Sequence, residues 1–389
     1  MSTTEVHGTV AEGFEQVREE FAAVVAEEDG QSGAQLAAYL RGRLVVDLWA
    51  GAEVTDTTLT GLHSSSKGAA GLVIAMLVQD GVLDVDQTVA HYWPRFATAG
   101  KEHITVRDVL THRAGIIGVA GGFTVAELAD ERVIAERLIG QRPYFAPRTA
   151  HGYGGFVMYA ILGEVVRAIT GSTVQQLFEQ RIRAPYGLDV YLGLPEELDH
   201  RYLPILPWQA TPEMEAAFAA NSPNPHGLAG ISYNLNARGF TAADVMALPN
   251  DPQLRRLGQA SAGGVGSARG LARMYAAAVC GVDGRPPLLT LDTIETISEI
   301  HSSGADLVRG QAPYTLGFEA KGLMHPFLGV HAFGHAGSAG SDGFADPHIG
   351  LTYGYTRRRA AFAFNAPENA RLAAAIHRAA TASGYAHAA

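Results

Sequence analysis

The chain has one cysteine and three lysines, and both shortages limit what it can do. Cys280 stands alone among 389 residues, which excludes an intrachain disulfide and a cysteine-based metal site. A lone cysteine favours a reducing compartment, so we predict a cytoplasmic protein. The lysines are Lys67, Lys101 and Lys321, and arginine supplies nearly all the other positive charge.

Long apolar runs and basic tracts are also missing. The longest apolar stretch, at about residues 68–78, is too short to span a bilayer, and the acidic N-terminal stretch MSTTEVHGTVAEGF is unlike a signal peptide. The formal net charge is −10 with no dense cluster of arginine and lysine, which argues against nucleic-acid binding. We therefore predict neither a nucleic-acid partner nor a membrane partner.

The histidines do not form a metal-binding pattern. No His-Glu-x-x-His motif or comparable cluster is present, so we predict no metal and no other cofactor. His63, His112 and His151 are interpreted as packing or hydrogen-bonding residues.

The apolar patterns predict strands at both ends of the chain around a helical middle. Residues 8–27 have helical spacing, and GAQLAAYLRGRLVVDLWAG predicts two strands joined by a tight turn at Arg41-Gly42. Residues 186–260 are rich in Pro, Asn and Gly, which predicts long loops with short helices. Strands are predicted again in TLGFEA, GVHAFGHAG, GFADPHIGLTYGYT and AAFAFN, and PENARLAAAIHRAATA predicts a final helix.

This arrangement predicts two lobes. The sheet lobe would comprise residues 1–60 and 255–389, and a mostly helical lobe, residues 61–254, would be inserted between them. A binding site is expected in the crevice between the lobes, where pockets are common.

The segment LHSSSKGAAGLVIAMLVQDG contains a possible nucleophile and base. Ser64 stands three residues before Lys67, and residues at that spacing share one face of a helix. A serine needs a base to accept its proton, and a buried lysine can be that base, whereas arginine cannot lose its proton. The alternative is a structural pair, in which the serine caps the helix and the lysine reaches the surface. Four residues alone do not decide between a catalytic and a structural pair.

Further segments offer partners for this pair. Tyr153 precedes an apolar helix, and its phenolate can shuttle a proton to a leaving group by first accepting it and then delivering it. In His335-Ala336-Gly337-Ser338, glycine lets the backbone approach a ligand, so the N–H of Ser338 can point into a site. Ser232-Tyr233-Asn234 is a competing Ser-x-Asn motif without a flanking apolar helix.

Seven segments in order make the chain similar to a known family. They resemble the serine hydrolases that share the class C β-lactamase fold, especially the family VIII carboxylesterases. The resemblance implies an antiparallel β-sheet flanked by N- and C-terminal helices, with an inserted, mostly helical lobe. The segments are GFEQVREEF, VVDLWAG, SSSKGAAG, DGVLDVDQTVAHYWP, ITVRDVLTHRAGI, ASAGGVGSARGLARMYAA and FGHAGSAGSDGFADP.

The same resemblance implies roles for individual residues. Ser64 matches the acylated nucleophile, Lys67 the neighbouring base and Tyr153 the tyrosine of the family's second motif. The backbone N–H groups of Ser64 and Ser338 would form the oxyanion hole. His335-Ala336-Gly337 stands where β-lactamases have Lys-Thr-Gly.

The departures from the β-lactamase motifs favour esters as substrates. Gly155 stands where the second motif has asparagine, and His335 replaces a permanent cation. Both changes weaken recognition of a β-lactam. Gly155, His335 and Gly337 are therefore predicted to contact the substrate, and Trp208, with Tyr144, is a weaker candidate that could equally be core. Arg148 stands where relatives often have glycine.

These observations predict a serine carboxylesterase acting on small or medium acyl esters. The alternative is an acyltransferase that passes the acyl group to an alcohol or amine. A β-lactamase or D-amino-acid peptidase and a non-catalytic binding protein are weaker alternatives. The predicted partners are a small acyl substrate and, for the transferase, an acyl acceptor.

Overall fold

A seven-stranded antiparallel sheet organises the structure. The computed structural model describes residues 5–28 and 32–382. The strands are β1 Val6–Val10, β2 Ala34–Leu40, β3 Arg43–Ala50, β4 Thr60–Gly61, β5 Val190–Tyr191, β6 Val265–Gly266, β7 Ala305–Asp306, β8 Gly310–Gln311, β9 Glu319–Ala320, β10 Phe333–Ala336, β11 Asp342–Asp346 and β12 Leu351–Arg357. The large sheet has the order β1-β3-β2-β12-β11-β10-β9, so both ends of the chain contribute to it.

Helices cover the sheet and fill the middle of the chain. They are α1 Glu15–Ala26, α2 Ser66–Gln79, α3 Val89–Tyr92, α4 Val106–Leu110, α5 Val125–Ala129, α6 Glu131–Ile139, α7 Met158–Thr170, α8 Val174–Phe178, α9 Ala184–Tyr186, α10 Pro212–Ala220, α11 Leu228–Ser232, α12 Ala242–Ala247, α13 Pro252–Leu257, α14 Ala268–Val279, α15 Leu291–Ser298, α16 Lys321–Met324 and α17 Glu368–Ala382. None of those in the described part of the chain is both long and apolar enough to cross a membrane.

Both faces of the sheet are buried. Along β2, Leu36, Ala38 and Leu40 pack in the core beneath α1 and α17, whereas Ala37 and Tyr39 belong to the core on the opposite side, where α14 crosses the sheet. Alternate side chains of a strand point to opposite faces, so helices on both faces explain why every residue of β2 is buried. The predicted antiparallel sheet with flanking terminal helices is confirmed.

α2 is the apolar helix of the segment LHSSSKGAAGLVIAMLVQDG, and it is buried. Residues 66–77 are all buried, which explains why the helix is apolar all round rather than on one stripe. It begins at Ser66, two residues later than predicted, because a 3₁₀ turn, His63–Ser65, precedes it. The predicted tight turn between β2 and β3 is confirmed, since Arg41 and Gly42 have φ angles of +50° and +77°. The proposed lobe boundaries stay a prediction.

Three predictions of secondary structure are wrong, wholly or in part. Residues 8–10 belong to strand β1 rather than to a helix, because Gly8 has a φ of +97° and β1 pairs with β3 along its whole length. The run AAFAFN is not a strand but contains a 3₁₀ turn, Phe362–Phe364, in which Ala363 and Phe364 have φ angles of +52° and +63°. In TLGFEA only Glu319 and Ala320 form a strand.

Candidate active site

Ser64 lines a cavity of about 340 Å³. Of the three consecutive serines it is the one that lines this cavity. Ser65 Oγ lies 3.0 Å from Ser341 Oγ, and Ser66 Oγ accepts a hydrogen bond from the Gly264 N–H at 2.9 Å. The hydroxyls of Ser65 and Ser66 therefore hold the fold together, while that of Ser64 faces the cavity.

Lys67 is fully buried beside Ser64. Its Nζ lies 3.3 Å from Ser64 Oγ and donates to the carbonyl oxygens of Gly155 at 2.7 Å and Ser261 at 2.8 Å. Burial lowers the pKa of Lys67 well below its ordinary value, and the positive charge of Arg309 lowers it further. A neutral amine has two N–H groups and one lone pair. These match the two carbonyls and the one hydroxyl around Nζ.

Tyr153 completes the contacts of the serine. Its Oη lies 2.8 Å from Ser64 Oγ, and burial raises the pKa of Tyr153. The phenol therefore keeps its proton and donates a hydrogen bond to Ser64 Oγ, so the resting side chain is a phenol and not a phenolate.

Three separate elements hold the backbone around Tyr153. Its N–H donates to Asp306 Oδ1 at 3.3 Å, its carbonyl accepts the hydroxyl of Ser232, and the neighbouring Gly154 N–H donates to His112 Nδ1 at 3.1 Å. Residue 153 thus lies just before α7, as predicted, in a position fixed by distant parts of the chain. The interpretation of His112 as a hydrogen-bonding residue agrees with its position.

Gly337 allows β10 to approach the nucleophile. A Cβ at this position would lie 2.3 Å from the carbonyl oxygen of Leu62, a distance that no side chain tolerates. The close approach places Ser338 beside the 3₁₀ turn, where its Oγ lies 3.2 Å from His63 Nδ1. Among the described residues, the N–H groups of Ser64 and Ser338 have no acceptor. They are therefore available to bind an oxyanion.

His335 does not line the cavity, contrary to its predicted contact with substrate. Its ring is only 1% exposed, Nδ1 donates to the Ala336 carbonyl oxygen at 2.8 Å, and the ring centre is 6.0 Å from that of Tyr153. Burial lowers the pKa of His335 to about 3, so the imidazole is neutral. Its ring packs near that of Tyr153. The residues of this motif that line the cavity are Ala336, Gly337 and Ser338.

The competing motif at Ser232 braces the site rather than forming another one. Ser232 Oγ accepts from the Gly155 N–H at 3.3 Å, and Asn234 is buried with its amide bonded to the backbone of Phe123. A Cβ at Gly155 would lie 2.8 Å from the Ser232 carbonyl oxygen. The asparagine of the β-lactamase motif therefore has no room at position 155.

Aromatic side chains line one wall of the cavity, but Trp208 is not among them. Phe156, Tyr233 and Phe364 are lining residues, and the rings of Tyr233 and Phe364 stack with centres 5.5 Å apart. Trp208 packs against Phe364 and bonds to Glu215, outside the lining set. Tyr144 does not line the cavity either. The prediction that Trp208 and Tyr144 contact the substrate is therefore wrong. Rings from other segments form this wall.

A buried network of charges that the sequence analysis missed adjoins the site. Arg309 Nη1 donates to Glu319 Oε1 at 2.7 Å, and Lys321 Nζ lies 2.9 Å from Glu319 Oε2 and 2.8 Å from Asp342 Oδ1. Burial would raise the pKa of Glu319, but Lys321 and Arg309 hold it well below its usual range. The arginine also packs over Tyr153, with Cζ 4.9 Å from the ring centre.

The structure accounts for Arg148. Its φ is +69°, a conformation in which glycine is the easiest residue, yet its Nε bonds to Asp108 Oδ2 at 2.9 Å and its Nη2 to the His103 carbonyl oxygen at 2.7 Å. The side-chain contacts offset the unfavourable backbone conformation.

Glu131 binds the backbone next to Ser261, whose carbonyl oxygen accepts a hydrogen bond from Lys67. Its Oε1 accepts from the Ala260 N–H at 2.7 Å, next to Ser261, and burial raises the pKa of Glu131 to about 7. The folded state then binds this proton more tightly than the unfolded chain. We expect the free energy of unfolding to fall by about 3 kcal/mol as pH rises from about 4.5 to about 7, and to level off above.

Glu131→Gln should remove this part of the pH dependence. The measurement is the urea midpoint of wild type and variant at pH 5 and pH 8, where the variant should gain relative stability at pH 8 only. Glu136→Gln, on an exposed position of the same helix, is the matched control. Equal slopes for wild type and Glu131→Gln would contradict the expectation.

No group of three His, Cys, Asp or Glu side chains in residues 5–28 and 32–382 is arranged to hold a metal ion.

Several proteins similar to this chain are esterases. The chain is 40% identical to EstA from Arthrobacter nitroguajacolicus Rue61a, with a TM-score of 0.87, over 96% of this chain and 98% of EstA. A family VIII carboxylesterase structure is 32% identical, with a TM-score of 0.81, over 96% of this chain and 100% of that one. The esterase/beta-lactamase LipL of Mycobacterium tuberculosis (strain ATCC 25618 / H37Rv) is 29% identical over 84% of this chain and 77% of LipL.

The profile of the beta-lactamase family matches residues 17–378, which is nearly the whole chain. It includes the nucleophile turn, the tyrosine loop and β10. The chain belongs to the beta-lactamase family.

Proposed function

We propose that this protein is a serine carboxylesterase that works through an acyl-enzyme on Ser64. The observation that carries the proposal is the contact of Ser64 Oγ with both Lys67 Nζ at 3.3 Å and Tyr153 Oη at 2.8 Å, beside a cavity that Ser64 lines. The similarity to EstA and to a family VIII carboxylesterase supports an ester as the substrate.

In the first step Ser64 attacks the ester carbonyl carbon. Lys67, neutral in its buried position, accepts the hydroxyl proton through its lone pair while its two N–H groups stay on the carbonyls of Gly155 and Ser261. The carbonyl oxygen becomes an oxyanion and accepts from the N–H groups of Ser64 and Ser338. These donors are fixed before the reaction, so they stabilise the charge without reorganisation.

In the second step the alcohol leaves. The bond from carbon to the alcohol oxygen breaks, that oxygen takes the proton of Tyr153, and Lys67 returns a proton to the tyrosine. Water then attacks the acyl-enzyme, with Lys67 and Tyr153 moving protons in the reverse direction. The products are the carboxylic acid and free Ser64.

Two features support esters over β-lactams. Position 155 has no side-chain amide and no space for one, since the Ser232 carbonyl oxygen occupies that volume. His335, which stands in place of a cation, is neutral and buried. The groups that would recognise the amide and the carboxylate of a β-lactam are therefore missing from both motifs.

Mass spectrometry of the intact protein tests the proposal. We expect 4-nitrophenyl acetate and butyrate to produce adducts of one acyl group, which peptide mapping should place on Ser64 and which water should clear. The same experiment with an added alcohol or amine shows whether the acyl group passes to water, as in an esterase, or to the added acceptor, as in an acyltransferase. Acylation at another residue would refute the assignment, and an adduct that persists until the acceptor is added would identify an acyltransferase.

We also propose a cytoplasmic location. The support is the single cysteine, Cys280, whose thiol is half-buried beside the Gly350 carbonyl oxygen and has no second cysteine with which to pair within the chain. Fractionation of the native host with an antibody to the protein tests this location.

A further inference from the structure

We propose that Arg309 binds an anionic group, preferably a carboxylate, on the alcohol portion of the ester. The inference rests on the proposed function and narrows its substrate class to esters of hydroxy acids. Four observations carry it: the position of Arg309, its free N–H groups, the burial of the neighbouring cation Lys321 and the place of the leaving alcohol.

A short hairpin fixes the position of Arg309. Strands β7 and β8 enclose the turn that contains it, and Asp306 Oδ1 accepts from the N–H of Arg309 at 2.8 Å and from the N–H of Tyr153 at 3.3 Å. A second link joins the Leu307 N–H to the His151 carbonyl oxygen at 2.9 Å. The hairpin and the tyrosine loop are thus joined directly. These links hold the guanidinium over the Tyr153 ring.

The guanidinium keeps donors for a ligand. Nη1 donates to Glu319 Oε1 at 2.7 Å, whereas Nε and Nη2 have no hydrogen-bond partner within residues 5–28 and 32–382. The side chain lines the cavity and is 26% exposed. An arginine held on one side in this way presents a planar pair of donors, which suits a carboxylate.

Two buried carboxylates, Glu319 and Asp342, face two cations, Lys321 and Arg309, beside the cavity. Lys321 also lines it, but its side chain is 0% exposed and is paired with Glu319 and Asp342. His335 is buried and neutral. Burial also lowers the pKa of His63 and His325, which line the cavity. Among the described residues, Arg309 is therefore the permanently charged cation on the cavity wall that a substrate can reach.

The position of Tyr153 decides which half of the ester carries the anion. Tyr153 gives its proton to the leaving alcohol in the proposed mechanism, and the guanidinium carbon is 4.9 Å from its ring centre. A group bound to Arg309 therefore belongs to the alcohol half. The aromatic wall formed by Tyr233 and Phe364 adds a surface for a flat substrate.

A matched pair of esters tests the inference: 4-acetoxybenzoate and its neutral methyl ester, methyl 4-acetoxybenzoate. The measured quantity is the ratio of kcat/KM for the anionic ester to that for the neutral one. We expect Arg309→Gln to lower this ratio at least about tenfold, because the variant loses a charged donor that only the anionic ester uses. Arg309→Lys should retain part of the ratio, since it keeps the charge but not the planar donors.

Arg137→Gln is the control, because Arg137 also packs on an aromatic ring and pairs with a glutamate, but lies outside the cavity. It should leave the ratio unchanged. An equal fall for both esters in Arg309→Gln would mean that Arg309 only supports Tyr153, and would overturn the inference. A loss confined to mono(4-nitrophenyl) succinate, whose anion lies in the acyl half, would overturn it as well.

The proposed function and the anion site can fail separately. If the wild type hydrolyses neither ester, the proposed function fails, and calorimetric binding of 4-acetoxybenzoate to Ser64→Ala still tests the site. Binding that disappears when Arg309→Gln is added to that variant supports the inference. Binding that is absent from Ser64→Ala, or unchanged by Arg309→Gln, overturns it.

Discussion

Ser64→Ala should lose the covalent adduct and reduce kcat/KM for activated esters by about 10³-fold or more. The variant retains the oxyanion donors and the cavity but has no oxygen to form the acyl bond. The turn His63–Ser65 keeps its backbone hydrogen bonds, including that from the Ser65 N–H to the Leu62 carbonyl oxygen at 3.0 Å. The loss should therefore come from chemistry and not from unfolding, which a thermal melt will show.

Ser65→Ala and Ser66→Ala are the matched controls, since they remove the same atom one and two residues away. The Ser65 hydroxyl bonds only within the fold, to Ser341, and its loss should leave acylation intact. Ser66→Ala leaves the Gly264 N–H without its acceptor, so we expect a cost of about 1–3 kcal/mol in stability but an adduct as in wild type. A dead Ser65→Ala variant with an active Ser64→Ala variant would show that the nucleophile is wrongly assigned.

The sequence predicts the parts of the site that depend on local geometry. Ser64 and Lys67 are three residues apart, and the turn leading into α2 brings them together. The apolar run after them indicates that the lysine is buried, which is the condition for a neutral amine. Tyr153 and Ser338 are distant in the chain, and only the resemblance of ordered motifs connected them with Ser64.

The residues that were missed or misplaced depend on contacts between distant segments. Arg309 belongs to a hairpin whose strands have two residues each, too short for a periodic pattern. Contacts of Asp306 and Leu307 with the loop of Tyr153 bring the hairpin to the site. His335 is buried because the ring of Tyr153 and the carboxylate of Glu319 cover it. Neither neighbour is visible in the four residues of its motif.

The wrong strand and helix predictions have the same origin. Val10 fits the helical spacing predicted for residues 8–27, but residues 6–10 pair with the free edge of β3, and tertiary pairing overrides local pattern. The run AAFAFN alternates as a strand does, yet its two phenylalanines pack on Trp208 and Phe218, which lie over a hundred residues earlier. A periodic pattern of six residues cannot specify which surface it meets.

Lys67→Met should lower the rate of acylation by about 10²- to 10⁴-fold, the usual contribution of a general base. Methionine fills a similar volume without a lone pair of comparable basicity. Lys67→Arg is the informative control: it places a nitrogen base next to Ser64 that stays protonated and cannot accept the serine proton, so it should be as inactive as the methionine variant. An active Lys67→Arg variant would show that another group accepts the proton.

The pH dependence provides the second readout for Lys67. Only the neutral amine accepts the serine proton, so wild-type kcat/KM should fall as pH drops through the pKa of Lys67, which burial holds well below its ordinary value. The positive charge of Arg309 lowers that pKa further, so Arg309→Gln should move the fall to higher pH. The residual activity of Lys67→Met should lack this limb. An unshifted limb in Arg309→Gln, together with a retained limb in Lys67→Met, would assign the titration to a different group and remove Lys67 from the proposed role.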